Sequence, residues 1–477
     1  MNNTFICDIA SSTEPFPHFW EHTVGSCHAT MALRADWQKQ LLRCHKELGF
    51  QHVRFHGILS DDMGTLMNEM DQLVYSFFNA DQICDFLLSI GMKPFMELSF
   101  MPSALSSAGD IVFHYKGNVT PPRDYNQWAT LLNKLTRHWV TRYGIDEVSK
   151  WFFEIWNEPN LGAFWKGTQQ DYFTLYQHSA KAIKEVNTQL KVGGPATADN
   201  AWIPEFIDFC EKNTVPVDFI STHHYPTDAF GKPGDDTIAQ LAASRRSVLR
   251  EEVTETKKQA KGKPVYYTEW STSSNPFDDL HDIPYAAAFI TKTIMEARGQ
   301  VQGYSYWTFS DIFEENYFNS LPFHGGFGLL NIYGIPKPSY RAFELLHRLG
   351  DNILQVDGEH ETANVWVVKN DNSINILLTN WALPLHPVKI ETITIQLNNI
   401  SAVKNVFIER IDDDHVNTRQ AWLTMGQPDS LSPQQVETLE AVSTLVKEPV
   451  LFQFENNTLM ISVEMIPQAT ALVTIEL

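Results

Sequence analysis

Between residues 23 and 348 short apolar runs alternate with longer amphipathic stretches, and that alternation restricts the chain to folds in which helices join parallel strands. The runs fall at 23–27, 52–56, 93–99, 151–156, 191–194, 217–222, 264–269 and 303–308. Eight parallel strands with interleaved helices close into a (β/α)8 barrel. The stretches between them have helical periodicity. In 124–143, Trp128, Leu131, Leu132, Leu135 and Trp139 recur on one face, with Lys134 and Arg137 elsewhere; 36–48 and 169–186 read the same way.

After residue 348 the pattern changes to period two. Strands are expected at 364–369, 374–379, 388–397, 405–411, 450–454, 459–463 and 469–475, with a helix at 432–445 opened by Ser-Pro. The fold class is therefore α/β: a (β/α)8 TIM barrel over 16–348, followed over 349–477 by a β-sandwich accessory domain with a helical insertion. Residues 1–15 form a separate N-terminal segment.

A formal charge of −21 argues against nucleic acid and anionic membranes as partners. No apolar span of about 20 residues and no basic, apolar leader is present, so a cytoplasmic location is expected. Cys7, Cys27, Cys44, Cys84 and Cys210 show no CxxC spacing, which fits reduced thiols rather than a disulfide framework or zinc knuckle.

Barrel active sites are built at the C-terminal ends of the strands, and two of those ends carry carboxyl groups. The run 151–156 leads into Asn157-Glu158-Pro159, placing an amide and a carboxyl side by side where Pro159 stops regular pairing. The run 264–269 ends on Glu269. Two carboxyls facing each other across a barrel mouth suit glycoside hydrolysis, in which one protonates the leaving oxygen and the other attacks the anomeric carbon. A single Glu at a strand end is more often an ion-pair partner, so position alone does not decide. The connections 100–123 and 310–338 are the longest in the barrel and are expected to serve function.

Trp156-Asn-Glu-Pro159, Thr268-Glu-Trp270 and His223-His-Tyr225 resemble the clan of retaining (β/α)8 glycosidases whose catalytic glutamates come from strands four and seven. Gly25-Ser-Cys-His-Ala29, Val53-Arg-Phe-His-Gly57, Tyr115-Lys-Gly-Asn-Val-Thr-Pro-Pro122 and Trp307-Thr-Phe-Ser-Asp-Ile-Phe-Glu-Glu315 narrow the resemblance to family 39 of the glycoside hydrolases, typified by β-xylosidases. It covers about residues 20–348 and implies a C-terminal sandwich joined by the N-terminal residues as an extra strand.

Carried over residue by residue, the resemblance implies that Glu158 is the acid/base and Glu269 the nucleophile. Tyr225 and Arg54 then stand beside Glu269 as a phenol donor and a cation that favour its ionised form. Asn157 is expected to bind the sugar 2-hydroxyl. His56, Phe113, Tyr115 and His223 match positions that shape the sugar site; for the first three, packing is an equally good reading. Trp307, ending the eighth run, offers an indole face to a pyranose, and Glu314 and Glu315 are expected at the far sugar hydroxyls, which gives an exo mode.

Glu97 and Glu154 read as buried network members rather than catalysts. His223-His224 with Asp228 does not make a metal site, because adjacent strand residues point to opposite faces, and Gly193-Gly-Pro195 lacks phosphate-loop spacing. The expected activity is a metal-independent and cofactor-free retaining exo-β-xylosidase acting on xylo-oligosaccharides or a related small glycoside. The alternatives are a family 39 glycosidase for another sugar, such as an α-L-iduronidase, or a carbohydrate-binding barrel without catalysis.

Overall fold

A computed structural model of the chain describes residues 3–227, 234–315, 317–370 and 372–477. The apolar runs form parallel strands β1 (Thr23–His28), β2 (His52–His56), β3 (Lys93–Leu98), β4 (Phe152–Ile155), β5 (Lys191–Thr197), β6 (Phe219–His223), β7 (Val265–Trp270) and β8 (Gly303–Tyr306). Each pairs with its neighbour in sequence, and β8 returns to β1 through Tyr306 and Val24, so the predicted barrel closes.

The helices follow from their apolar faces. Trp128, Leu131, Leu132, Leu135 and Trp139 of helix Tyr125–Tyr143 are all buried, and the Asp124 carboxylate accepts from the Asn126 N–H to cap it. Helix Gln169–Val186 starts with a reciprocal capping box between Thr168 and Asp171.

Strand periodicity sorts the barrel interior into layers. Near the N-terminal end, Phe95, Phe152 and Phe219 pack together with Tyr266; the Phe95 and Phe152 rings stack at 5.0 Å. A Cβ at Gly193 would come within 2.4 Å of the Phe219 ring, so that position has room only for hydrogen. Two residues further along the same strands come Glu97, Glu154, Ser221 and Thr268, joined by Arg54 of β2, every one of them buried. The aromatic layer thus closes the barrel below a polar layer that opens towards the strand C-termini.

The expected strands after residue 348 are present with shifted ends; 450–454 becomes Phe452–Glu455, for example. Together with Thr4–Asp8, Glu14–Pro15, Asn352–Leu354 and Glu448–Pro449 they form a seven-stranded and a four-stranded sheet. Thr4–Asp8 pairs in parallel with Glu391–Asn398, and Phe5, Cys7 and Ile9 enter the core between the sheets beside Ile376, Ile393 and Val473. The helical insertion has two pieces, Thr418–Thr424 and Pro433–Val442. The first, seven residues long, is too short to show periodicity. The hairpin Leu66–Glu69/Gln72–Tyr75 after β2 was not expected; its turn depends on positive φ at Met70 and Asp71, without a glycine to signal it. Among the described residues no helix is long and apolar enough to cross a membrane.

Trp381 joins the sandwich to the barrel. Its buried indole packs on Tyr285 and Phe289 of helix Pro284–Ala297 at 5.7 and 5.6 Å, with the cations of Arg246 and Lys292 over the ring at 5.8 and 5.7 Å. Trp381→Ala is expected to cost about 3–5 kcal/mol, read as a lower midpoint in urea unfolding, and Trp381→Phe to recover part of it.

Candidate active site

At the mouth the strands give way to turns that aim side chains inward. Pairing of β4 ends at Ile155, one residue earlier than the run 151–156 suggested, because Trp156 and Glu158 adopt positive φ values of 73° and 42°. The strand therefore stops at a left-handed turn, before Pro159 can act. Packing holds that turn: the Trp156 indole donates to the Phe164 carbonyl at 2.8 Å, and the Glu158 N–H donates to the Ala196 carbonyl of β5 at 2.7 Å. Between β6 and β7 the register slips, Thr222 pairing with Tyr267 but His223 with Glu269. The extra residue lets both Thr268 and Glu269 project into the mouth.

Arg54, fully buried on β2, is the hub. Its Nε donates to Glu154 at 2.5 Å, Nη1 to Glu269 at 2.7 Å, and Nη2 to the Asn157 side-chain carbonyl at 3.0 Å and to Glu97 at 2.9 Å. The second Glu269 oxygen accepts from the Tyr225 hydroxyl at 2.9 Å. Both Glu269 oxygens thus face donors.

Glu158 has a different environment. Its side-chain contact is His223 Nδ1 at 2.9 Å, and burial pushes its carboxyl up to about 7 against the opposing pull of His56 and Arg54. Burial pushes the His223 imidazole down to about 4. One oxygen each of Glu158 and Glu269 and a ring nitrogen of His223 all lie within 4.8 Å of one another. Such a trio has ligand chemistry, but Arg54 and Tyr225 already engage both oxygens of Glu269, and a guanidinium beside it disfavours a cation there. His18, Glu21 and His347 make a similar group elsewhere, held by 2.6 and 2.8 Å hydrogen bonds from the two rings to one Glu21 oxygen.

His56 connects the centre to the loop after β8. Its Nδ1 lies 2.6 Å from Glu97, and its Nε2 lies 3.7 Å from Glu269 and 3.3 Å from Glu315. Burial alone would lower its pKa, but Glu97 and Glu315 raise it to about 10, so His56 is a second buried cation. Burial raises Glu315 above the ordinary carboxyl value, with His56 opposing. Trp307, which follows β8 rather than ending it, packs over His56 at 4.9 Å; a Cβ at Gly25 would sit 2.5 Å from its indole.

Phe113 and Tyr115 stand further out. Phe113 takes a positive φ of 58°, its ring 5.4 Å from both Tyr115 and Phe164. Tyr115 stacks face to face on His28 at 3.7 Å, and its buried hydroxyl has no hydrogen-bond partner among the described residues. Glu314 turns towards His28, whose Nδ1 lies 2.6 Å from its carboxylate, while Asp62 lies 3.1 Å from the other ring nitrogen.

Sequence reasoning placed His28 and Thr268 in motifs without giving either a role of its own. The signal for Thr268 was its inward parity with Tyr266 on β7. Glu97 and Glu154 are buried network members, as expected. His224 points away from the centre to Asp199 at 2.9 Å, while Asp228 lies outside the described residues.

The family model described as glycosyl hydrolases family 39 matches residues 5–457. The chain belongs to glycosyl hydrolase family 39. Over 464 residues it is 51% identical to a protein of Caldicellulosiruptor saccharolyticus named Beta-xylosidase, covering 96% of this chain and 95% of that one. A Beta-xylosidase of Geobacillus stearothermophilus is 37% identical over 452 residues, with 90% and 87% covered. Among solved structures, a monomeric beta-xylosidase from Caulobacter crescentus CB15 superposes with a TM-score of 0.88 at 32% identity over 99% of both chains.

In this family 39 hydrolase, Arg54→Met would leave Glu97, Glu154 and Glu269 without their shared cation. The expected result is a loss of about 3–5 kcal/mol in urea unfolding together with loss of glycoside hydrolysis, and Arg54→Lys, which lacks the fork, should not restore activity.

Proposed function

We propose that this hydrolase is a retaining exo-β-xylosidase that releases xylose from the non-reducing ends of xylo-oligosaccharides. The observation that carries the mechanism is the approach of Glu158 and Glu269 oxygens to within 4.8 Å. Direct attack needs carboxyls about 5–5.5 Å apart, whereas inversion leaves about 6.5–9.5 Å for a water. The xylose assignment rests on the relatives named Beta-xylosidase.

The two carboxyls are prepared for different tasks. Glu269, held by Arg54 and Tyr225, attacks the anomeric carbon while Glu158 gives its proton to the departing oxygen. Asn157 accepts from Arg54 through its carbonyl, which directs the amide NH2 towards the 2-hydroxyl as charge develops on the ring. Formation of the glycosyl ester removes the negative charge of Glu269, so Glu158 ionises more readily and takes a proton from the attacking water. No cofactor takes part in either displacement.

Glu315, which faces the same His56 nitrogen as Glu269, accepts from the distal hydroxyls of the terminal sugar and closes the pocket behind it. Carboxylates at that end repel a uronate, which favours xylose over iduronate. Five buried, unpaired cysteines fit a reducing, cytoplasmic compartment.

Proton NMR during early hydrolysis of xylobiose should show β-xylose appearing first; α-xylose first would overturn retention, and cleavage of another sugar alone in an aryl-glycoside panel would overturn the xylose assignment. Glu269→Ala should abolish turnover, and Glu158→Ala should slow poor leaving groups most, with azide restoring turnover as a glycosyl azide. In wild type the alkaline limb of kcat/KM should fall near pH 7, since the acid must be protonated in the free enzyme.

A further inference from the structure

A chain of hydrogen bonds runs from Glu154 through Thr268 and His223 to Glu158, and the direction of each link is set by chemistry. Glu154 is buried and its second oxygen pairs with Arg54 at 2.5 Å, so it is ionised and only accepts. The Thr268 hydroxyl, 2.7 Å from the other Glu154 oxygen, must spend its single proton there. It is left as an acceptor towards His223 Nε2 at 3.1 Å, so Nε2 carries a proton.

His223 has no exposed surface, and burial, aided by Arg54, disfavours a second ring proton against the pull of Glu269, Glu154 and Glu97. Nδ1 is then a lone pair, and the 2.9 Å contact to Glu158 is a hydrogen bond only when the carboxyl supplies the proton. We propose that Thr268 is a positioning residue that fixes His223 in the Nε2–H tautomer, so that the Nδ1 lone pair holds Glu158 in its protonated, acid-competent form. Thr268 itself lies behind His223 and acts through it. No proton moves along the chain; it sets which of the Glu158 states is hydrogen-bonded.

Other groups also face Glu158. Arg54 and His56 favour its ionised form, while Glu97 and Asp199 oppose it. Glu269 and His223 lie within 4.8 Å, and Glu315 and Tyr225 complete the surroundings. Against two cations that stabilise the carboxylate, the His223 lone pair is the contact that bonds only to the acid form.

The inference rests on Glu158 being the acid/base, and its test separates the two. In wild type, 15N-resolved NMR of the His223 ring should show the proton on Nε2 at neutral pH; a proton on Nδ1 would overturn the proposal whatever the enzyme hydrolyses. Thr268→Val removes the acceptor and lets the ring place its proton on Nδ1, where it stabilises the Glu158 carboxylate. The alkaline limb of kcat/KM should then move down by about one pH unit or more. At pH 7, hydrolysis of xylobiose should fall about tenfold or more, while a dinitrophenyl xyloside, whose leaving group needs no proton, changes less than about threefold. Thr268→Ser keeps the hydroxyl and should retain the wild-type profile. An unmoved limb in Thr268→Val, or equal losses on both substrates, would show that Thr268 only packs. Failure of the Glu158 reading would appear separately, as no leaving-group dependence in Glu158→Ala.

Discussion

The guanidinium of Arg54, buried between carboxylates in a sealed barrel, is the interaction on which the site depends. An isolated buried charge is costly, and so is each of Glu97, Glu154 and Glu269 alone; together they are stable because one planar fork reaches all three. The aromatic layer of Phe95, Phe152 and Phe219 closes the barrel from below and preserves the strength of these contacts. Arg54 also binds Asn157, so the residue that orients the proposed nucleophile, Glu269, orients the proposed 2-hydroxyl donor as well.

The same charge balance explains why two glutamates within 4.8 Å behave differently. Arg54 and His56 carry positive charge, and Glu97, Glu154 and Glu269 already exceed it. A further carboxylate at Glu158 would add to an excess of negative charge in a poorly solvated place, and its own side-chain partner is a neutral imidazole. One carboxyl is thus surrounded by donors, and burial raises the other.

Much of the fold was legible because strand and helix periodicities are local. Eight apolar runs, an apolar helical face over 124–143 and a switch to period two after residue 348 each need only neighbouring residues to be read. What escaped was short or depended on backbone conformation: the helix Thr418–Thr424, the hairpin after β2, and the early end of β4, where Trp156 and Glu158 turn left-handed under the hold of distant partners. In the site, Asn157, Glu158 and Glu269 were visible as polar groups at strand ends, whereas Thr268 stood in a motif with nothing local to give it a role.

The sequence by itself determined the number of barrel strands, the two strand ends that bear carboxyl groups, and the motifs that carry the family resemblance, because these are properties of order and spacing. Only the tertiary structure decided how differently the two carboxyls are surrounded, which partners face the His223 ring, and that Glu314 turns to His28 while Glu315 meets His56. Those outcomes depend on burial and on partners brought together from β2, β4, β6 and β7, and a pKa is set by what surrounds a group in space rather than by what precedes it in the chain.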